Sequence, residues 1–337
     1  MKKLTVTLLI VMPLATFYLV GPQVEEPNLN APIVEPTANL HELDTYIKLE
    51  EEANEAIKPD NEARIIWADS IPQKTEYSFV YLHGWSASYA EGDPLHKEIA
   101  KRYGANLYLP RLAGHGLSEE EPMLNLTATE LMKSARHAVA VGKQLGEKVI
   151  LLTTSTGGTL GLYLASQDPQ IAGLILYSPN VDMRDPASKL LNMPWGLELA
   201  RLVKDSKYHE WQLDSARQLY WTNKYRLEAL THLREMVDET MTKEVFEKVT
   251  QPVFLGYYYK DEDNQDDVVS VDAMLEMYDQ LGTSDHKKEK VAFPEVGHHV
   301  IASYLTSNDL DAVGYETFEF LEGVMGLLPI ADDTVLD

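Results

Sequence analysis

Leu151-Leu152-Thr153-Thr154-Ser155-Thr156-Gly157-Gly158 is the stretch on which the reading of this chain turns. The run before it, Lys148 to Thr153 (KVILLT), is apolar and β-branched, as a strand buried on both faces should be. The run after it, Gly157 to Gln167, reads as a helix closed by Asp168-Pro169. A serine at the apex of a strand-turn-helix needs small neighbours, because the sharp turn crowds the backbone. Such a turn lifts the hydroxyl into the open at a helix N-terminus, where developing negative charge is stabilised. The pattern G-x-S-x-G is met as T-x-S-x-G, with Thr153 in place of the first glycine. The competing interpretation is an ordinary strand-to-helix turn that happens to be polar.

Outward from this turn the chain alternates strand-like and helix-like runs. Ala63–Ala68, Ser78–Leu82, Asn106–Leu109, Gly173–Tyr177, Val253–Tyr259 and Glu289–Phe293 read as strands. Thr127 and Glu130 form a capping box for a helix to Leu145, with Gly146 as its stop. Ser270 caps another helix to Leu281, and Ile301–Leu328 is expected to hold the closing helices. Repeated β-α alternation predicts an α/β fold, a mostly parallel sheet with helices on both faces. Residues 184–248 break the rhythm with helical spacing, no clear strand and three of the five tryptophans. Such a stretch is too long for a plain crossover and reads as a helical cap inserted into a core of residues 63–183 and 249–328. Residues 21–62 read as a proline-rich linker and charged arm, and 329–337 as a tail.

Three further segments carry candidate chemistry. Tyr81-Leu82-His83-Gly84-Trp85 follows a strand, at the place where a second backbone N–H for an oxyanion hole is expected. Trp85 and Thr156 are the candidate donors, and His83 reads as a structural hydrogen-bonding residue. The acidic loop Asp261–Ser270 offers a carboxylate; Asp266, Asp267 and Asp263 are candidates. The loop lacks the glycine and glutamate that a calcium loop places at its sixth and twelfth positions, so no metal is expected. Phe293–Ile301 supplies His298 and His299. His299 is preferred as general base because Val300-Ile301 suits entry into a final helix. Ser155, Asp266 and His299 then follow in the order Ser, Asp, His.

A net charge of −24 argues against nucleic acid as a partner, since phosphate binding needs clustered Lys and Arg. With no cysteine, disulfides and thiolate chemistry are excluded. Lys2 and Lys3 precede an uncharged run from Leu4 to Val20, about 25 Å as a helix. The run ends without a small-residue cleavage site, so residues 1–20 read as a signal-anchor rather than a cleaved signal peptide. No Lys or Arg occurs from Gly21 to Ile47. The expectation is a membrane-anchored protein of the cell envelope with its body outside the cytoplasm, or a secreted one if the segment is cleaved.

Arg111-Leu112-Ala113-Gly114-His115-Gly116-Leu117-Ser118 is similar to the L-x-G-H-G loop of monoacylglycerol lipase-like and carboxylesterase-like members of the α/β-hydrolase superfamily. With His83-Gly84, the serine turn and the terminal histidine, it makes four ordered matches. The chain therefore resembles that superfamily, including its serine aminopeptidase S33-type group, from about Ala63 to Leu328. The resemblance implies ester hydrolysis by a Ser155-His299-Asp266 triad, a mobile cap and no cofactor; the spacing found in the family also favours Asp266. The substrate class it suggests is a small ester or lipid, such as a monoacylglycerol or lysophospholipid. Thioesters or amides on the same triad, or a non-catalytic binding module, are the alternatives.

Overall fold

The computed structural model describes residues 17–330. Seven strands form one sheet in the order β1-β3-β2-β4-β5-β8-β9. They are β1 (Arg64–Ile66), β2 (Thr75–Leu82), β3 (Asn106–Leu109), β4 (Gly146–Thr154), β5 (Ile171–Tyr177), β8 (Val253–Tyr257) and β9 (Lys288–Ala292). All neighbours are parallel except β1, which pairs antiparallel with β3 at the edge. Alternate side chains of β4 enter two separate cores. Val149 and Leu151 join one apolar cluster, Ile150 and Leu152 the other. Burial on both faces is why this strand reads as an unbroken apolar run, and it requires a layer of helices on each side.

The helix Ala128–Leu145 starts at Thr127, whose hydroxyl accepts the Glu130 N–H. Ser270 does the same for the Ala273 N–H at the helix Val271–Gln280. The helix from Ala128 ends at Leu145 with Gly146 as its cap, as expected, and at φ −142° that glycine is extended rather than left-handed and opens β4. One expectation needs correction. Among the described residues the closing region holds one helix, Leu310–Gly323, and residues 301–309 are irregular.

Between β5 and β8 lies the inserted stretch. It contains the helices Gly196–Lys204 and Leu227–Thr240 with shorter turns between them. It also contains an antiparallel ribbon, β6 (Tyr208–Glu210) with β7 (Lys224–Arg226), which the helical spacing of the stretch had hidden.

The membrane expectation is corrected as well. Among the described residues no helix is long and apolar enough to cross a membrane; a span needs about 20 consecutive apolar residues. Most of the run from Leu4 to Val20 lies outside the described residues. Its described end turns onto the protein, where the Phe17 ring stacks on Trp195 at 4.8 Å between centroids and the Phe17 carbonyl accepts the Trp195 indole N–H. Signal-anchor, membrane partner and anchored envelope location all rested on that run and are withdrawn.

Candidate active site

Ser155 sits between β4 and the helix Thr156–Gln167 with φ 53° and ψ −118°, a conformation that L-residues avoid. Hydrogen bonds over-determine it: its N–H donates to the Tyr177 carbonyl, and its carbonyl accepts from Gly158 and Asn180. The turn also depends on missing side chains. A Cβ on Gly157 would lie 1.8 Å from the Leu82 carbonyl oxygen. Thr153, the departure from the usual pattern, is fully buried, and its hydroxyl donates to the Ile175 carbonyl at 3.0 Å. Its methyl group lies 3.0 Å from where a Cβ on Gly161 would stand. Glycine on the facing helix thus makes the room that glycine at the first position of the pattern would otherwise supply.

Asp266 and His299 are brought together. His299 Nδ1 is 2.6 Å from Asp266 Oδ2. Asp266 is fully buried, whereas Asp263 and Asp267 are exposed. Its other carboxylate oxygen accepts the N–H groups of Val268 and Val269 at 2.9 and 3.0 Å. Burial pushes the Asp266 carboxyl up, but the charge and hydrogen bond of His299 and these two N–H groups outweigh it and leave the pKa below the usual value. Burial likewise pushes the His299 imidazole down, and the charge and hydrogen bond of Asp266 reverse that to a net rise. The Nδ1–Asp266 bond leaves Nε2 as the free ring nitrogen, buried and without a protein partner. His299 is not at a helix entry, as its sequence suggested. It lies in the irregular loop ahead of Leu310.

His298 points elsewhere. Its Nδ1 accepts the Val300 N–H, and its Nε2 is 3.4 Å from Arg217. Burial and the charges of His299 and Arg217 lower it to about 4. His83 is buried under the loop: its Nε2 accepts the Leu112 N–H at 3.1 Å, so Nδ1 carries the proton and donates to the Gly84 carbonyl. Burial foremost, then the neighbouring His115, pulls His83 down to about 3, so it stays neutral.

Trp85 and Thr156 line the same cavity as Ser155. Among the described residues neither backbone N–H has a protein acceptor, which leaves both free to take an oxyanion. The cavity holds about 850 Å³ and runs from Ser155 and His299 into the inserted stretch. Trp211, Trp221, Tyr225, Leu190, Leu191 and Leu233 are part of its wall. Trp195, Leu197 and Leu202 are not: Trp195 faces the N-terminal segment and Leu202 is exposed. One wall residue had no sequence signal at all. Glu91 is buried beside Ser155, and in the sequence it is one carboxylate among 53 acidic residues. No group of His, Asp and Glu among the described residues is arranged to hold a metal.

A thermostable monoacylglycerol lipase from Bacillus sp. (strain H-257) is 28% identical over 183 residues, 54% of this chain and 69% of that protein. Two solved structures are similar in fold. One comes from work on the metagenome-derived lipolytic enzymes LipS and LipT, with a TM-score of 0.59 and 19% identity over 79% of this chain and 99% of that one. The other is the Paleococcus ferrophilus monoacylglycerol lipase, with a TM-score of 0.56 and 14% identity over 77% and 98%. A profile described as the alpha/beta hydrolase family matches residues 79–313, from β2 through the loop of His299 into the last helix. The chain belongs to the alpha/beta hydrolase family.

Proposed function

We propose that this serine hydrolase cleaves esters of a single long acyl chain, of the monoacylglycerol or lysophospholipid kind, with Ser155 as nucleophile. The observation that carries this reading is the buried His299–Asp266 pair beside a strained serine, opening onto a mainly apolar cavity. In the cycle, His299 Nε2 takes the proton of Ser155 Oγ as that oxygen attacks the ester carbonyl. Asp266 holds the ring through Nδ1 and stabilises the imidazolium. The N–H groups of Trp85 and Thr156 receive the carbonyl oxygen as it becomes anionic. His299 then protonates the leaving alcohol. It next activates water against the acyl-enzyme, which releases the acid and restores Ser155.

The test is kcat/KM over p-nitrophenyl acetate, butyrate, octanoate and palmitate, below micelle formation. Each buried methylene is worth up to about 0.8 kcal/mol, so four added methylenes raise kcat/KM by about 10²-fold where that energy reaches the transition state. Ser155→Ala should remove turnover by several orders of magnitude and leave the fold intact. A steady decline from acetate upward would refute the long-chain reading, and an active, folded Ser155→Ala would refute the nucleophile.

A second reading is a thioester or amide on the same triad. Lys204, Gln212 and Arg217 add polar groups to the apolar wall, which suits a charged carrier behind the acyl carbonyl. A thioester of the same acyl chain turning over faster than the ester would favour it.

A further inference from the structure

Glu91 lies in the short turn Tyr89–Gly92 that follows the His83-Gly84-Trp85 loop. Its side chain is 2% exposed, and among the described residues it forms no ion pair. Its Oε2 accepts the Gly84 backbone N–H in a short hydrogen bond. Among the described residues Oε1 has no hydrogen-bond partner, and the residue forms part of the cavity wall with Ser155, Thr156 and Trp85. A Cβ built on Gly84 would stand 2.8 Å from both carboxyl oxygens and 2.9 Å from Ser155 Cβ. The carboxyl and the serine both crowd the position that a side chain on residue 84 would take, so only glycine fits there. The hydrogen bond fixes the residue directly before the Trp85 N–H.

We propose that Glu91 is a positioning residue of the oxyanion loop that works as the neutral acid: it anchors the His83–Gly84 peptide beside Ser155, one residue before the Trp85 N–H, and its ionisation suppresses turnover. This inference rests on the reading of Ser155 and His299 given above. The chemistry follows from place and charge. Attack on the ester puts negative charge on the carbonyl oxygen, among the buried side chains of Ser155, Glu91 and His299. A second negative charge in the same wall opposes it there, and a protonated carboxyl does not. Burial raises Glu91 to about 8, against the opposing pull of the Gly84 N–H and of His299.

The titratable groups around it leave this picture intact. Tyr81 is held far above its usual value by burial and then by Glu91 itself, so it stays neutral. His96, which packs edge-on against the Tyr81 ring, is lowered to about 4 by burial and is also neutral. His83, adjacent to Gly84, is lowered to about 3. Asp93, one residue beyond the turn, is paired with Lys97 at 2.6 Å. Asp266 is bonded to His299, and Asp267 is exposed. His299 is the charged group that acts on Glu91, and Asp266 raises its imidazole above the usual value despite burial. It must be neutral to act as base, so turnover requires neutral His299 and neutral Glu91 together.

The experiment has two arms on the full chain. In the first, kcat and KM for a p-nitrophenyl ester are measured against pH in the parent, Glu91→Gln and Glu91→Ala. The parent is expected to rise through the His299 titration and fall again near pH 8. Glu91→Gln keeps an acceptor for the Gly84 N–H but cannot ionise, and it should keep the acid limb and lose the alkaline fall. Glu91→Ala should lose about 10²-fold in kcat with little change in KM, and Glu91→Gln should recover most of that loss. An alkaline fall that persists in Glu91→Gln, or a parent with no such fall, overturns the proposal. So does a Glu91→Gln no better than a folded Glu91→Ala. The second arm needs no substrate. Infrared difference spectra of parent against Glu91→Gln should show a protonated-carboxyl band that disappears as the pH passes about 8. Its absence at neutral pH overturns the neutral-acid assignment even in a protein that hydrolyses esters well. A parent that shows the band yet leaves esters intact fails the reading of Ser155, not the protonation of Glu91.

Discussion

Burial, His299 and Arg217 lower the His298 imidazole to about 4, while Asp266 leaves its neighbour raised above 6.5 despite its own burial. Two adjacent histidines thus differ in which nitrogen is free and in when they protonate. With His299 as the proposed base, hydrolysis needs it neutral, so activity should be lost as the pH falls through its raised pKa. The acid limb of kcat/KM should have its midpoint above 6.5. Asp266→Asn removes the charge that raises His299, so it should shift this limb downward and cut kcat by about 10³-fold or more. His299→Ala should lose several orders of magnitude in kcat, and His298→Ala far less. A pH profile with an unmoved limb in Asp266→Asn would place the controlling charge elsewhere. At this scale the sequence was only partly legible. The loop offered three aspartates, and the family's spacing preferred Asp266; burial also separates them, since Asp266 alone of the three is enclosed. His299 was preferred on the expectation of a helix that starts only at Leu310, so its pairing with Asp266 comes from a loop path that no periodicity encodes. Glu91 escaped notice because a carboxylate's burial depends on its neighbours in space.

Among the elements, the strands of the sheet were the easiest to read. Parallel strands buried on both faces are apolar through their centres, as β4 is from Val149 to Leu152 and β5 from Leu174 to Tyr177. The inserted stretch was harder. Its three-residue strands β6 and β7 are too short for a period-two pattern to show. Its apolar residues also divide between two duties, cavity wall and outer surface. Leu199 and Leu202 belong to one helix, yet Leu199 lines the cavity and Leu202 does not. This division gives a prediction about acyl length. Leu199→Trp puts a larger side chain into the cavity from a half-exposed position, where the fold tolerates it. Octanoate and palmitate esters should lose about 10-fold in kcat/KM, the worth of roughly two methylenes, while the acetate ester stays within about twofold. Equal losses for all chain lengths would mean that the acyl chain runs along another wall.

Across the whole molecule, residues expected to form a loose linker and arm are tied to the body. The Ala31 carbonyl accepts from Arg136, the Asn28 N–H donates to Thr129, and the helix Leu40–Glu52 buries Leu43 and Ile47 against the core. Proline spacing signals an extended chain but not where it lies, which is why this docking was invisible in the sequence. The strongest tie is Glu51. Its carboxylate accepts from Arg111 Nε and Nη2, at 2.8 and 2.9 Å, and from the Ala63 N–H at 2.8 Å. Arg111 opens the loop whose His115 packs edge-on against the Trp85 ring at 5.4 Å, so the arm supports the wall of the cavity that holds Ser155. Glu51→Ala leaves a nearly buried guanidinium without its counter-charge, which destabilises by about 3–5 kcal/mol. Replacing both partners, Glu51→Leu with Arg111→Leu, removes the orphaned charge and should recover more than half of that loss. Urea unfolding of the parent, the single variants and the double variant measures the coupling directly. If the double variant is as unstable as the sum of its singles, the pair has no mutual dependence. The arm would then be held by the apolar contacts of Leu43 and Ile47 and its other hydrogen bonds, not by the charge pair.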